Sequence, residues 1–534
     1  SRGLGDVYKR QIKKIESNSK VKTDGTITSV WIPINNKWFL KTENLKIKMG
    51  SSEFNTIQKK DNETSEEKKE RLEKVKKFGS YATMKADYFD FETPVSLKSS
   101  QFNGYTMDVK NTDGSTLYRY RTDSLTTREK LTYIKIDSLG KNYNLDRKAR
   151  IITGLMRAKI TVGMVDIDPL QTKYNRYEGF RLGAGFKLNE KFNRYISPDF
   201  YLAYGFKDRA RKYGAGVDFK TTLDKNSYFR LEYFKDVAAA GKFSQYLWNT
   251  KMILNNNGVS IFNNKYYQYE GFRLGYEIDL SNSLTLNISA KRQTEETGFA
   301  YLYLGEDRKY KNFSSLATVK FSPNNKNVMT PYGKYTFDQN FPEVYLNYEQ
   351  AYKTFGGELN YSRFDVLYTH QFRTSLGMTQ TRAFGGYYLG KAPIWHLFDM
   401  GGLGSGKNTG FLSNFNLTTY LGFATMTAGK YYNDKFAGYF FSHRIPWYFK
   451  SFGKNTSSFD IVYKGIIGDM KHPEYHQFDE FSPLDHLYQE VGLEYNNFLS
   501  TRFNLGLFYR VGHYMTSEFK DNFAIQLKYN LLEF

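Results

Sequence analysis

Apolar and polar residues alternate with a period of two through nearly every segment from about residue 177 to the end of the chain. In the segment 501–513, one face is apolar and the other is mostly polar or glycine: Phe503, Leu505, Leu507, Tyr509 and Val511 against Arg502, Asn504, Gly506 and Arg510. Successive side chains of a β-strand point to opposite faces. The pattern therefore predicts strands with one apolar and one polar face. Many of these strands are about 10 residues long, which is the length that a tilted bilayer crossing requires.

This alternation predicts an all-β fold, a transmembrane antiparallel β-barrel of about 16 strands. Candidate strands include 357–365, 366–373 and 422–430, along with the segments on either side of them. Short connections are expected at the periplasmic end or in tight hairpins, at 223–226, 281–283, 433–435 and 496–497. Longer connections are expected as extracellular loops or lumen inserts, at 237–265, 391–417 and 468–486.

Composition narrows the class of protein. Aromatic residues make up 18% of the chain, with 45 Tyr and 44 Phe, which is typical of rings placed at both membrane interfaces. The absence of Cys excludes disulfides, thiolate zinc sites and lipidation on cysteine in this sequence. Mean hydropathy is −0.61 and no long apolar run occurs, which excludes helical spans.

The net charge of +21 raises the question of an anionic partner. Basic chains bind phosphate, and nucleic acid is the first alternative. The basic residues are spread along the chain without a recognisable nucleic-acid module, so we expect no nucleic-acid partner. Contact with anionic lipid head groups is the favoured use of the charge, and simple solubility is the alternative.

The amino-terminal part of the sequence has a different character. Residues 1–11 lack both an initiating Met and the apolar core of a signal peptide, and they resemble a translated adapter, so we expect artefactual sequence there. Residues 12–125 predict a periplasmic β-rich segment, truncated at its start, with strands at 29–34, 38–48 and 81–91. An outer-membrane protein needs an export signal, so we expect this chain to be a fragment of a longer precursor that carries one.

Two segments with helix-forming signals lie between and after these strands, and the second of them links this part to the barrel. The charged stretch 61–77 is a short helix or, more simply, a solvated surface segment. Thr126 and Glu129 form a capping box, which predicts a helical connector within 126–150 with Leu131 and Ile134 on its apolar side. The barrel is then expected to occupy 151–534.

A seven-residue motif occurs twice, as Tyr177–Gly183 and Tyr269–Gly275. The alternation places its Phe and Leu on the lipid side and its Gly-Arg-Gly on the lumen side, where the glycines leave room for the arginine. The candidate lumen residues are Arg181, Arg273, Glu277 and Asp279. The simpler interpretation is that the arginines pair with lumen carboxylates and only fill the interior.

Several blocks in order along the chain resemble an uncharacterised outer-membrane family whose longer members begin with a carboxypeptidase-regulatory-like domain. The blocks are Thr122–Glu129, Asp137–Ser138, Gly154, Asp166–Pro169, Asn175–Gly183, Ala203–Asp208, Lys212–Gly214, Tyr432–Phe436 and His443–Pro446. The resemblance implies a barrel distantly similar to surface-antigen and outer-membrane assembly-factor barrels, and it brings no catalytic residues. The Arg-Gly-Tyr loop motif of assembly factors has no clear counterpart here, which argues against an insertase role.

Two segments contain residue types that are common in nucleotide-binding and metal-binding sites. Gly401–Asn408 mimics a phosphate-binding loop, but Asn408 stands where magnesium requires Ser or Thr, so no nucleotide cofactor is expected. The segment 472–486 gathers residues of the types that bind zinc: His472, His476, Asp479, Glu480, Asp485 and His486. Pro473 undermines a helical His pair, so a polar surface loop is the simpler explanation. Ser442 and His443 point to opposite strand faces and cannot be catalytic partners.

The leading hypothesis is a non-enzymatic integral β-barrel of a Gram-negative outer membrane, with a transport or an assembly and translocation role and a lumen gated by the long loops. Its expected partners are outer-membrane lipid and lipopolysaccharide, the barrel-assembly machinery for insertion, and an unidentified periplasmic or surface protein. The first alternative is an outer-membrane enzyme with a rim active site in the loop from His472 to His486. The second is a soluble secreted β protein, which would have to cover its apolar strand faces with another sheet.

Overall fold

The computed structural model describes residues 8–12, 25–49, 64, 66, 80–93, 95–96, 98, 104–105, 107–108, 124–125, 127–143, 160–242, 262–330, 333–405, 415–418, 422–450, 456–478, 481–498 and 503–529. The chain forms two compact units, one of Ser1–Ser99 with Thr112–Thr126 and the other of Ser100–Asn111 with Thr127–Phe534. The predicted charged segment 61–77 lies almost entirely outside the described residues.

The first unit contains an antiparallel sheet of four strands in chain order: β1 (Tyr8–Ile12), β2 (Gly25–Ile34), β3 (Lys37–Met49) and β4 (Ser80–Asp87). Asn35 and Asn36 connect β2 to β3 with φ of 48° and 60°. Two residues at positive φ make the type of tight turn that matches the twist of a hairpin, and Asn tolerates this conformation well. The strands predicted at 29–34 and 38–48 are present, and the third ends earlier than predicted, at Asp87.

The second unit includes helix α1 (Thr127–Asn142), within the predicted connector. Leu131 and Ile134, predicted to form its apolar side, are 61% and 66% exposed. A second helix, α2 (Phe519–Asn522), is one turn long. No helix among the described residues combines the length and the apolar character that a bilayer span requires.

The remaining strands belong to the second unit. They are β5 (Met107–Asp108), β6 (Ile160–Val162), β7 (Val165–Asp168), β8 (Lys173–Asn175), β9 (Gly179–Leu188), β10 (Ile196–Gly205), β11 (Arg211–Lys220), β12 (Ser227–Ala239), β13 (Tyr266–Ser281), β14 (Leu284–Thr297), β15 (Leu302–Tyr303), β16 (Tyr310–Phe321), β17 (Lys326–Thr330), β18 (Gly333–Asp338), β19 (Glu343–Ala351), β20 (Asn360–Thr374), β21 (Gly377–Lys391), β22 (Phe398–Asp399), β23 (Gly402–Gly404), β24 (Phe415–Thr418), β25 (Phe423–Thr427), β26 (Tyr432–Asn433), β27 (Lys435–Arg444), β28 (Phe449–Lys450), β29 (Thr456–Asp469), β30 (His476–Gln477), β31 (Tyr488–Asn496), β32 (Phe503–Val511) and β33 (Phe523–Tyr529).

The main sheet is a closed barrel whose long strands follow one another antiparallel in chain order. β7 and β8 both pair with β9 on either side of the 3-10 turn Pro169–Gln171, so together they form one interrupted strand. Counted in this way, and without the short elements β6, β24 and β28 of the same sheet, the described barrel wall has sixteen antiparallel strands: β7 with β8, β9 to β14, β16, β19 to β21, β27, β29 and β31 to β33. The number agrees with the prediction of about sixteen.

Three details of the predicted layout are wrong. The segments 357–365 and 366–373 are not two strands, because β20 runs unbroken through both. The segment 422–430 is not a wall strand, because β25 pairs with β23 in a separate small sheet. The turn 433–435 lies at the end of the barrel that has the long connections, whereas 223–226, 281–283 and 496–497 share the opposite end.

The two faces of the wall differ as the alternation predicts. Outward positions are apolar and exposed, with Phe180, Leu182, Phe272 and Leu274 at 49%, 55%, 59% and 55%. Inward positions are polar and buried, as in the run Asn287, Ser289, Gln293 and Glu295 on β14. A protein that kept these outward faces in water would expose a very large apolar surface. The packed hydrophobic core lies inside the barrel, between the wall and the connection from β21 to β27.

Candidate functional site

Arg181, the arginine of the first motif copy, lies on the inward face of β9 and is fully buried. Its Nη atoms contact both carboxylate oxygens of Asp236 on β12, at 2.5 and 3.1 Å. Gln171 and Glu178 accept further hydrogen bonds from it at 3.0 and 3.3 Å. The bidentate pair and the additional acceptors engage both Nη atoms of this buried guanidinium, while its Nε has no hydrogen-bond partner among the described residues, so the arginine ties the first wall strands together through its two Nη atoms.

The other three candidate lumen residues lie on β13 and also face inward. Arg273 donates to Glu232 on the neighbouring strand, at 2.5 Å from its Nε. Glu277 and Asp279 are 1% and 2% exposed. Asp279 accepts from the hydroxyl of Tyr105 at 2.7 Å and pairs with Lys334 at 2.9 Å, so it holds segments at the end of the barrel with the short turns.

Two of the motif glycines lie very close to the neighbouring strand. A Cβ at Gly183 would lie 2.5 Å from the Cβ of Ala203 and 2.8 Å from a backbone oxygen of the next strand. A Cβ at Gly271 would lie 2.1 Å from the backbone oxygen of Arg292. These glycines therefore allow close approach between neighbouring strands.

A ladder of charges continues along the inward face of β9 to β13. Arg230 is its centre and contacts Asp199, Asp218 and Glu232, each at 2.7 Å. Lys187 extends the ladder through Asp218. The side chains of Arg230, Asp199 and Glu232 remain 13–19% accessible, so this wall borders open space inside the barrel.

The opposite wall is covered from inside by the connection between β21 and β27, residues 392–434, which we call the lumenal insert. Its described parts are 392–405, 415–418 and 422–434. Its apolar side chains are almost completely buried: Ile394, Trp395, Leu397, Phe398, Met400, Leu403, Phe423 and Met426. All of these except Leu403 pack in one cluster with wall residues such as Tyr361 and Tyr388. The insert therefore occupies part of the lumen as a packed element.

Glu295 of β14 holds the first half of the insert. One of its carboxylate oxygens accepts from Trp395 Nε1 at 2.7 Å and contacts His396 Nε2 at 2.6 Å. Its other oxygen accepts from Gln293 and Asn312 of the wall, at 2.7 and 3.0 Å. The carboxylate is fully buried, so these four contacts replace its hydration shell.

Tyr361 of β20 completes this anchor. Its hydroxyl lies 2.9 Å from His396 Nδ1 and donates to Glu349 at 2.9 Å. Lys291 pairs with the same carboxylate at 2.9 Å. Both nitrogens of His396 are therefore engaged by wall residues. We call the group Glu295, Tyr361, Trp395 and His396 the first anchor.

The second half of the insert is held on the far wall. Glu490 of β31 accepts from the backbone and the hydroxyl of Thr425, both at 2.9 Å. Lys464 of β29 donates to Glu490 and to the backbone oxygen of Gly422, both at 2.9 Å. All these groups are buried. We call Lys464, Glu490 and Thr425 the second anchor.

The insert also pairs with the last strand and with a neighbouring loop. β24 runs parallel to β33 with Asn416 opposite Gln526. Asn433 exchanges two hydrogen bonds of 2.9 Å with the backbone of Leu484 in the loop 470–487. These contacts connect the insert to the carboxyl-terminal wall, whereas the first anchor connects it to the middle of the chain.

The histidines of the segment 472–486 lie in three different environments. His476 is buried against the hydroxyl of Tyr301 at 2.8 Å, and that hydroxyl also accepts from the backbone of Ile394 in the insert. His472 is partly exposed beside Glu474, and His486 stacks on His513 with ring centroids 3.8 Å apart. Asp479 and Glu480 lie outside the described residues. Among the residues that the structure describes, no group of three or more His, Cys, Asp or Glu could hold a metal ion.

The first residues of the glycine-rich segment 401–408 form a short strand. Gly402–Gly404 forms β23 inside the insert, where a Cβ at Gly402 would lie 2.2 Å from the backbone oxygen of Thr427. The later part of the segment, with Asn408, lies outside the described residues. The anchors themselves were missed from the sequence. Their only signal was polar residues at inward positions of otherwise ordinary strands.

Comparison with known proteins gives a likeness of shape. No protein-family model and no curated protein matches the chain, so the resemblance to an uncharacterised outer-membrane family stays a prediction. Among solved structures, the chain is similar to BamA from Haemophilus ducreyi lacking POTRA domains 1–3, with 9% identity, a TM-score of 0.43, and 66% of this chain and 68% of that chain covered.

Two further similar structures are CdiB from Acinetobacter baumannii and CdiB from Escherichia coli. Their identities are 11% and 10% and their TM-scores are 0.32 and 0.35. In each case 66% of this chain is covered, but only 56% and 60% of the other chain, which is less than two thirds of its length. These identities and TM-scores are too low to assign a function to this chain.

Proposed function

We propose that this protein is an integral β-barrel of a Gram-negative outer membrane that acts, without a catalytic centre, in transport or in assembly and translocation across that membrane. The observation that carries the proposal is a closed wall with exposed apolar residues outside, and inside it a lumen partly filled by a loop that two polar anchors hold. Exposed rows of Phe and Leu suit hydrocarbon, and inward polar residues suit a wet lumen.

Aromatic pairs on the outward face support the membrane position. Phe229 and Tyr276 lie 4.4 Å apart toward the end with the short turns, and Tyr233 and Phe272 lie 4.9 Å apart toward the other end. Rings placed at both ends of an apolar band are typical of membrane interfaces. Insertion by the barrel-assembly machinery of the host follows from this location and belongs to the proposal.

The mechanism follows from the way the insert is held. Buried polar contacts are specific and strong when they are all made, but each group can exchange its partner for water when the insert moves away. The insert is therefore a gate that moves off the wall to widen the passage along the charged ladder of β9 to β13. The cargo is an ion, a solute or an extended chain that this passage admits.

A disulfide lock tests the gate. The chain has no native Cys, so the pair Asn416→Cys and Gln526→Cys, at directly opposed positions of β24 and β33, can be oxidised selectively. We expect conductance in planar bilayers to fall to the closed level on oxidation and to recover on reduction. The control pair is Leu505→Cys and Leu527→Cys, which joins two wall strands and leaves the insert free.

Equal conductance of the locked pair in its oxidised and reduced forms would show that the insert is not the gate. Membrane insertion is measured separately, by flotation with lipid vesicles and by heat-modifiable migration on gels. A protein that stays in the aqueous phase would refute the outer-membrane assignment itself.

A further inference from the structure

A small cavity opens on the barrel wall at the end with the long connections. Its volume is about 160 Å³, and its outward lining includes Arg211, Lys235, Glu270, Glu296 and Lys309 from β11 to β14 and the connection after β14. This volume is below the roughly 300–1,000 Å³ of sites that enclose whole small molecules. The cavity therefore suits one polar group of a larger ligand.

The cavity lies directly next to the apolar band. Arg211 precedes Tyr213 on the outward face of β11, and Tyr213 is the strand partner of Lys235. Tyr213, Tyr233 and Phe272 form a row of rings below the cations, with centroids 6.2 and 4.9 Å apart. A ligand that fills the cavity can thus keep an apolar part on the band below it.

The outward lining of the cavity carries three cations, Arg211, Lys235 and Lys309, and two carboxylates, Glu270 and Glu296. Glu270 and Glu296 each pair with one lysine, Lys235 and Lys309, at 2.9 Å. Arg211 is exposed, and no carboxylate among the described residues forms an ion pair with it. The adjoining hairpin adds Lys207 and Arg209, both exposed. One cation is thus unneutralised within the cavity, and the adjoining hairpin carries two more.

From this arrangement we infer that the cavity binds the phosphate group of an anionic membrane lipid, whose acyl chains lie against Tyr213 and Phe272. The inference rests on the proposed membrane position and adds to it a named lipid contact. Arg211 supplies the free charge, and Lys235 and Lys309 can turn their ammonium groups from their carboxylates toward the phosphate. Basic residues at an anionic membrane surface each strengthen such binding.

The test uses the full chain in vesicles of phosphatidylcholine with a minor fraction of phosphatidic acid, extracted gently and analysed by native mass spectrometry for retained lipid. We expect the wild type to retain phosphatidic acid in preference to phosphatidylcholine. The variant Arg211→Ala Lys235→Ala Lys309→Ala should lose this preference, by about 5-fold for each cation removed.

The matched control is Lys191→Ala Arg194→Ala Lys225→Ala, which removes the same charge from exposed positions at the opposite end of the barrel. It should retain phosphatidic acid as the wild type does. Equal loss in both triple variants, or no loss in either, would overturn the inference. Displacement of the lipid by equimolar inorganic phosphate would overturn it as well, because the site would then recognise a free anion.

Flotation of the same samples separates this inference from the proposed function. A wild-type protein that floats with vesicles but shows no preference for phosphatidic acid disproves the lipid site alone. A protein that fails to float disproves the membrane assignment and the lipid site together.

Discussion

Glu295 offers the sharpest test of how the lumenal insert is held. Its carboxylate serves four donors, and two of them, Trp395 and His396, belong to the insert. Glu295→Ala leaves both insert groups without an acceptor in a buried place. An unpaired buried donor costs about 1–3 kcal/mol, so the docked insert loses about 2–6 kcal/mol relative to the released one.

A loss of only 2 kcal/mol corresponds to a change of about 30-fold in the docking equilibrium. We expect Glu295→Ala to raise the open probability in planar bilayers by at least that factor, up to saturation. Glu295→Gln keeps the shape but presents an amide to donors that need an acceptor, so its effect should have the same direction and a smaller size.

Glu277→Gln is the matched control. Glu277 is as deeply buried on the same wall, and it accepts from Asn226 and Asn287, at 3.2 and 3.1 Å, neither of which belongs to the insert. Its open probability should stay at the wild-type level. If Glu295→Ala, correctly folded by heat-modifiable migration, conducts like the wild type, the first anchor does not hold the gate and the reasoning fails.

Two further results are expected. Burial raises the pKa of Asp399 in the insert from 3.8 to about 7 and lowers the pKa of His476 from 6.5 to about 4. Docking of the insert therefore takes up a proton at Asp399, so through this group docking weakens as pH rises from about 4 to 6.5. Docking releases a proton at His476, so through this group docking strengthens over the same range. In conductance titrations over this range, the open probability of Asp399→Asn should fall as pH rises, because only His476 still titrates, and that of His476→Gln should rise. If both variants changed in the same direction, these two residues would not be the groups that couple docking to pH. Leu274→Arg, at mid-height of the outward face, should destabilise the protein in urea unfolding from vesicles by about 2–4 kcal/mol, and a neutral result would argue against lipid contact there.

Much of the wall could be predicted because its rule is local. Each strand has two environments and side chains alternate between them, so Phe180 and Leu182 had to face one medium and Arg181 the other. The same rule cannot separate a wall strand from an alternating segment inside the lumen. The segment 422–430 was misplaced for this reason, since β25 also alternates but meets protein on both faces.

The sequence by itself determined the class of fold, the outward apolar surface and the inward position of the charges, because these depend on the period of the side chains and on the cost of apolar surface in water. Only the tertiary structure decided that the described parts of residues 392–434 turn into the lumen, and that Glu295 and Glu490, far apart in the chain, hold them there. The physical reason is that a buried hydrogen bond depends on which strands the closed sheet brings face to face. That register is a property of the whole barrel and leaves no local pattern in the residues that form the bond.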